Sequence, residues 1–305
     1  MSCLQVNLSL LPFLPRAMII SMRSPILIRP ATWADEKALT HLLQRAACLY
    51  PESLGLTARA LLNHPLLVTA WEGEKLRGCL SVSFLHPPTA RMEALAIRYQ
   101  RDVGRYLREL LPPAEAQLRE RGTETLAYIG QDLWLIAALK GQGFQRANSI
   151  LLFRKQGWEV PDPGNQEACV RPARPEDIPA LVRLDEAAFK EAIWQNTAEA
   201  FQQCLNQMPY FVVAEQKGQV VGYQFSQIRS GEGYLARVAV HPEAQGQRIG
   251  ARLVAEAIRF FQEQQVRNIV LNTQRDNYRA QRLYGWFDFR PAGQEAVVLQ
   301  KRVGE

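Results

Sequence analysis

The chain has 305 residues, 47% apolar and 22% charged, with a formal net charge of +6 and a pI near 9.2. Such a length suits two domains of about 130 to 150 residues better than one, and the composition excludes a disordered or fibrous chain. The positive charge is scattered, which argues against nucleic acid as a partner and leaves anionic small ligands open.

The five cysteines and four histidines show no CxxC or ligand-like spacing, so neither a disulfide framework nor a metal site is expected, and a reducing, cytoplasmic setting fits best. Residues 1–24 contain a short apolar run broken by prolines, with no basic start and no small-residue cleavage site. They read as a disordered extension or an over-long gene start rather than a signal peptide or a membrane span, and no membrane partner is expected.

In chain order, Ile28–Leu39 ("IRPATWADEKAL") reads as a strand, a polar turn with an acidic cap, and a helix. Leu66–Phe84 follows as two strands joined by a charged, glycine-bearing turn. "MEALAI" is a third strand, then come a helix, the strand "TLAYIG", a further helix and the strand "SILLFRK". The same succession then recurs. Val170–Leu181 ("VRPARPEDIPAL") matches the first stretch, Tyr210–Ile228 the hairpin, "LARVAV" the third strand, "NIVLNT" the fourth and "AVVLQKR" the last. Each half therefore reads β-α-β-β-β-α-β-α-β, and the nearly constant offset between the halves marks a duplication. An α/β chain of two mixed-sheet domains is expected, at 25–155 and 168–305, joined by a Pro-, Gly- and acid-rich linker at 156–167.

The halves differ at one loop. In the second, the strand ending at Val240 runs through Gln245-Gly246-Gln247-Arg248-Ile249-Gly250 into a helix with Leu253, Val254, Ala257, Ile258 and Phe261 on one face. Unpaired backbone N–H groups at such a junction, added to the positive end of the helix, make an anion site. No Lys-Ser/Thr follows the last glycine, so this is not a Walker loop.

Gln245–Ala251 resembles the acyl-CoA-binding pattern Gln/Arg-x-x-Gly-x-Gly/Ala of the GCN5-related N-acetyltransferases (GNAT), with Arg248 where the pattern's first glycine falls. "NYRAQRLYGWFDF" is similar to that family's Asn-x-x-Ala-x-x-Leu-Tyr-x-x-x-Gly-Phe at Asn277, Ala280, Leu283, Tyr284 and Phe289, with Asp288 replacing the glycine. The resemblance implies an acetyl-CoA-dependent N-acetyltransferase, with the pyrophosphate held on Gln245, Gly246, Gln247, Arg248, Ile249, Gly250 and Ala251. The pantetheine arm would lie along Val238, Ala239 and Val240 and near Asn277, and Tyr284 would donate a proton to the leaving thiolate. Many relatives carry a glutamate where Ala236 stands. Glu232, or a water held by backbone carbonyls, is left as the base. The acceptor would be a primary amine, on a small molecule or on a protein N-terminus or lysine; an acidic lining would favour a polyamine or aminoglycoside.

The first half has a loop three residues shorter before Gly104, with Asp132 and Leu139 in place of the asparagine and tyrosine. It reads as a degenerate copy that helps form the acceptor cleft. Trp194 and Phe201 are assigned to core packing rather than the cleft, and His241 to a loop role. The other reading of the whole chain is an acyl-CoA-binding sensor without turnover, which the missing strand carboxylate supports.

Overall fold

A computed structural model describes residues 25–51, 56–84 and 88–304. The expectation for residues 1–24 lies outside them. The first half runs β1 (Ile26–Pro30), α1 (Glu36–Arg45), β2 (Cys48–Pro51), α2 (Ala58–Leu62), β3 (Leu66–Glu72), β4 (Lys75–Phe84), β5 (Thr89–Ile97), α3 (Val103–Glu120), β6 (Thr125–Gly130), α4 (Leu133–Lys140) and β7 (Gln145–Gln156). The second runs β8 (Cys169–Pro172), α5 (Ile178–Ala188), α6 (Ala198–Gln207), β9 (Tyr210–Gln216), β10 (Gln219–Arg229), β11 (Glu232–Val240), α7 (Ile249–Glu263), β12 (Asn268–Gln274), α8 (Tyr278–Trp286) and β13 (Arg290–Arg302). The repeat read from the sequence is present, with two additions: a second helix (α2, α6) in each half, and the short strand β2 in the first half alone.

The α/β expectation holds, but the two sheets are one. Its strand order is β1-β3-β4-β5-β6-β13-β7-β12-β11-β10-β9-β8, with β2 on β5. The halves exchange their last strands. Thr125–Gly130 pairs antiparallel with Arg302–Val297 from the far end of the chain, and Ile150–Gln156 pairs antiparallel with Gln274–Asn268. The cut made at 155 and 168 follows the chain, whereas the hydrogen bonds cross it.

Each half buries the two faces of its sheet under helices. Val103, Tyr106, Leu107, Leu110, Leu111, Ala114 and Leu118 of α3 recur at helical spacing and pack with Leu135 and Leu139 of α4 on one face. The other face takes Leu39 and Leu42 of α1 and Leu61 of α2. In the second half α7 and α8 cover one face, and Leu181, Leu184 and Phe201 of α5 and α6 the other. Phe201 is thus a core residue, as read.

The Pro/Gly-rich linker is packed down. Trp158 donates from Nε1 to the Val266 carbonyl at 2.7 Å, and Asn165 N–H donates to the Arg248 carbonyl at 3.2 Å. A Cβ on Gly164 would come within 2.1 Å of the Arg252 backbone nitrogen, so only glycine lets the linker lie this close to α7. No described helix is long and apolar enough to cross a membrane.

Candidate active site

β11 and β12 are hydrogen-bonded only from Gly233 to Leu235, against Ile269 to Leu271. Beyond that they splay apart, and a β-bulge at Ala236 shifts the β10 register between Phe225/Arg237 and Ser226/Leu235. Two cavities meet in the gap. One, of about 490 Å³, is lined by Val238–Val240, Gln245, Gly246, Arg248 and the start of α7 on one side, and by Asn277, Arg279, Ala280, Leu283, Tyr284 and Trp286 on the other. The second, a notch of about 120 Å³, lies towards α5 and shares Phe189, Val238, Asn277, Ala280 and Tyr284 with the first.

The structure gathers nearly all the residues expected at the cofactor around the larger cavity, but it gives them different tasks. Gly246 and Arg248 both have left-handed backbones, with φ of +85° and +63°. A third residue, Asp288, has φ +62°. Arg248 and Asp288 are the two positions where the motifs call for glycine, and the geometry explains that preference: the left-handed region costs a side-chain-bearing residue about 1 kcal/mol or more. Arg248 is held there through its side chain. Nε lies 3.2 Å from Oδ2 of the buried linker residue Asp162, and Nη2 bonds Oδ1. Asp162 also accepts from the Gly164 N–H at 2.8 Å, and the guanidinium holds its carboxyl below the usual range. The Arg248 guanidinium is thereby engaged by the linker, leaving its backbone to the loop.

Gln245 bridges the cavity mouth, donating to the Val240 carbonyl at 3.1 Å and accepting from Arg279 on α8. Gln247 turns to the Glu243 carbonyl and lines neither cavity. Ile249 and Ala251 are buried in the core, as is Ala239, so these contribute backbone. A Cβ on Gly250 would meet Leu283 Cδ2 at 3.1 Å, so the start of α7 packs tightly against α8 here. Asn277 caps α8, its Oδ1 accepting from the Ala280 N–H at 3.1 Å. His241 caps a short turn after β11 and lies outside both cavities.

Tyr284 stands where the two cavities join. It is 7% exposed, and burial raises its hydroxyl to a pKa of about 12, partly offset by nearby Arg237. Its hydroxyl makes no hydrogen bond among the described residues. It is therefore a protonated phenol at neutral pH, free to donate.

Glu232 is placed elsewhere. It begins β11, four residues before the bulge and about 13 Å away along the strand, and its side chain, 43% exposed, pairs with Arg154 at 3.2 Å. It does not line the notch, so the geometry offers no support for it as a base.

Several notch residues escaped the sequence reading. Arg237 is buried by Asp185, Tyr223 and the Trp194 carbonyl, with its guanidinium 4.1 Å over the Phe189 ring. An arginine within "LARVAV" and an aspartate within the apolar "ALVRLDEAAF" were the available signal, since each demands a buried partner. Trp194, assigned to the core, packs against the cluster of Ala127, Ile193 and Val298 and also lines the notch. Ile150 reaches the notch from β7 of the first half, a consequence of the strand exchange that no local pattern announces.

The same splay exists in the first half, where β5 and β6 pair only from Thr89 to Arg91. There it is filled by the chain. β2 pairs antiparallel with β5, Cys48 to Ile97 through Pro51 to Ala94, along the edge corresponding to Arg237–Val240. Ile193 packs between Ala127 and Val298, and Leu139 is core. Only Arg98 to Asp102 separate strand from helix, against His241 to Arg248 in the second half. Glu93, however, occupies the bulge position that Ala236 holds in the second half, and is engaged by Ser83 and by Arg91 at 3.1 Å.

Comparison with known proteins agrees with this geometry. The model of the acetyltransferase (GNAT) family matches residues 178–289. A Bacillus subtilis (strain 168) protein named as a ribosomal protein bS18 alanine N-acetyltransferase is 30% identical over 129 residues, 42% of this chain and 83% of its own length. The spore coat polysaccharide biosynthesis protein SpsD of the same organism is 32% identical over 125 residues, but that is only 43% of its length. Among solved structures, a GCN5-related N-acetyltransferase from Sphaerobacter thermophilus superposes with a TM-score of 0.61 at 16% identity, over 92% of this chain and 97% of that one. A tandem GNAT protein from the clavulanic acid biosynthesis pathway does so with a TM-score of 0.59, also at 16% identity, over 92% and 99%. These two show the shared fold. No cluster of metal-ligating side chains occurs among the described residues. By the family match over residues 178–289 and the Bacillus relative covered over 83% of its length, with a fold and splayed strands that agree, the chain belongs to the GNAT family of acetyltransferases.

Proposed function

We propose that the C-terminal half moves an acetyl group from acetyl-CoA to a primary amine by direct attack in a ternary complex, and that the N-terminal half does not bind the cofactor. The observation that carries this is Tyr284, a buried phenol at the junction of an anion-loop cavity and a separate notch. Acetyl-CoA supplies the activated acyl group. The N–H groups between Gln245 and Gly250 suit its pyrophosphate, the open edge of Val238–Val240 suits its arm, and Tyr284 delivers a proton to the departing sulfur. In the first half, β2 takes the edge that the arm would need. The domain limits 25–155 and 168–305 serve this division of labour, with the exchanged strands binding the two parts together.

Calorimetric titration of acetyl-CoA tests the reading. One site per chain is expected, lost in Gly250→Trp, because the indole would fill the approach to Leu283. Two sites would show that β2 yields to the cofactor, and no binding would remove the acetyltransferase reading altogether.

A further inference from the structure

Among the described residues, no carboxylate or imidazole lines the notch. Among the described residues its lining contains two titratable side chains, Arg237 and Tyr284, beside Ile150, Phe189, Trp194 and the amides of Asn272, Gln274 and Asn277. Arg237 is permanently cationic, and Tyr284 stays protonated.

Several charged groups behind and around this lining are occupied, while Lys190 and Glu191, between Phe189 and Trp194 in the chain, are exposed to solvent and do not line the notch. Asp185 on α5 is fully buried, and its oxygens are taken by Arg237, by the Tyr223 hydroxyl and by the Asn196 N–H at 2.6 Å. Tyr223 on β10 is held well above the usual phenol range, and burial raises the Cys204 thiol on α6. At the rim, Glu295 on β13 is shared by Arg146 of β7 and Arg275, while Asp276 is exposed and accepts from Asn148 at 3.1 Å. The bulge that could present a carboxylate presents Ala236.

Resting on the acetyl-transfer reading above, we infer that the acceptor is a weakly basic primary amine of the α-amino type, and that lysine side chains and polyamines are rejected. An amine attacks through its lone pair, so an ammonium must first lose a proton. With no carboxylate or imidazole in the notch, that proton goes to water before attack, and the rate follows the free-base fraction of the acceptor. An α-amine with a pKa near 7.8 is about one-third free at pH 7.5 and a lysine with a pKa near 10.4 about one-thousandth. This deficit of free base, roughly 250-fold, is offset only in part by the stronger nucleophilicity of the more basic amine. Arg237 is neutralised by Asp185, so the notch offers a cation no attraction, and no carboxylate lines it to hold a polyamine's second charge. The step balances. The nitrogen forms a bond to the thioester carbonyl carbon and the C–S bond breaks. The sulfur takes the Tyr284 proton, and the proton shed by nitrogen returns to the tyrosine through water. The small notch, about 120 Å³, suits the amine end of a chain or an amino sugar, which share this basicity.

The test is kcat/KM for acetyl transfer between pH 6.5 and 9.5 with four acceptors: a lysine-free peptide with a free N-terminus, the same peptide N-blocked with one lysine, glucosamine and spermidine. The free peptide, glucosamine or both are expected to react with a rate that titrates with the amine's own pKa, and whichever reacts identifies the source. The lysine peptide and spermidine should be at least about tenfold slower at pH 7.5, with the lysine peptide gaining about tenfold per pH unit. Ala236→Glu, checked for folding by its acetyl-CoA Kd, should move the rise to lower pH and narrow the gap for lysine. Comparable rates for lysine or spermidine at pH 7.5 would overturn the inference and leave acetyl transfer standing. So would a pH profile independent of acceptor basicity. Failure of all four at pH 9.5 would overturn both readings.

Discussion

Arg237 Nη2 lies 2.8 Å from each carboxylate oxygen of Asp185, joining β11 at the mouth of the splay to α5 behind it. The aspartate is fully buried and the arginine side chain 17% exposed. Removing one partner strands a charge in the interior, at a typical cost of about 3 kcal/mol or more. Asp185→Ala should lower the unfolding free energy by that amount in urea titration, and the double variant Asp185→Ala/Arg237→Met should recover part of it. The Trp194 carbonyl also bonds Arg237, so the single variant should weaken acceptor KM even where the fold survives. Equal stability of the wild type and Asp185→Ala would show that the pair is dispensable.

Tyr284→Phe removes the hydroxyl proposed to donate the proton while keeping the ring that packs near Phe153 and Phe289. A kcat lower by about 10² to 10⁴, with acetyl-CoA Kd within twofold, is expected from stopped assays and calorimetry. A chain that only senses acyl-CoA would show no rate to lose.

Burial sets the alkaline limit. Tyr284 is raised to about 12, and Tyr223 is also held neutral in the fold. Between pH 10 and 12 the unfolded chain loses these protons and the folded chain keeps them, so the stability they contribute is complete below pH 10 and declines as pH rises through this window. The slope for Tyr284 is about 1.4 kcal/mol per pH unit. Tyr284→Phe should flatten the fall in melting temperature over that range; an unchanged slope would contradict it.

Asp162 is outside both cavities, yet it fixes the left-handed Arg248. Asp162→Ala should weaken acetyl-CoA binding by about three- to tenfold through loop disorder, since the left-handed conformation costs about 1 kcal/mol or more without support. Adding Arg248→Gly, which accepts that backbone freely, should restore the affinity. Failure of the rescue would mean that the Arg248 side chain itself contributes to binding.

Separate expression of residues 25–155 and 168–305 should yield two insoluble products. The second lacks β7, which lies between β12 and β13, and the first lacks β13, which covers β6. Co-expression should give a soluble complex that binds acetyl-CoA. Independent folding of the second half would show that β13 can take the place of β7.

What the sequence determined by itself is the local and the periodic. The amphipathic stripes of α3 and α7, the hairpins, the duplication, the glycine-bearing Gln245–Gly250 loop and the Asn277–Phe289 segment were readable because helix spacing, turn chemistry and motif order are properties of neighbouring residues. Tertiary structure alone decided partners. Alternating strands such as β7 and β13 carry the same pattern whether they pair within their half or across it, so the exchange that brings Ile150 into the notch left no local mark. The linker looked free because its prolines and glycines forbid regular structure; they do not forbid packing, and Asp162 and Gly164 press against α7. β2 was missed because its few residues gain stability only from β5. Neither its sequence nor that of β5 reveals that the first half fills, with its own backbone, the edge that the second half leaves open.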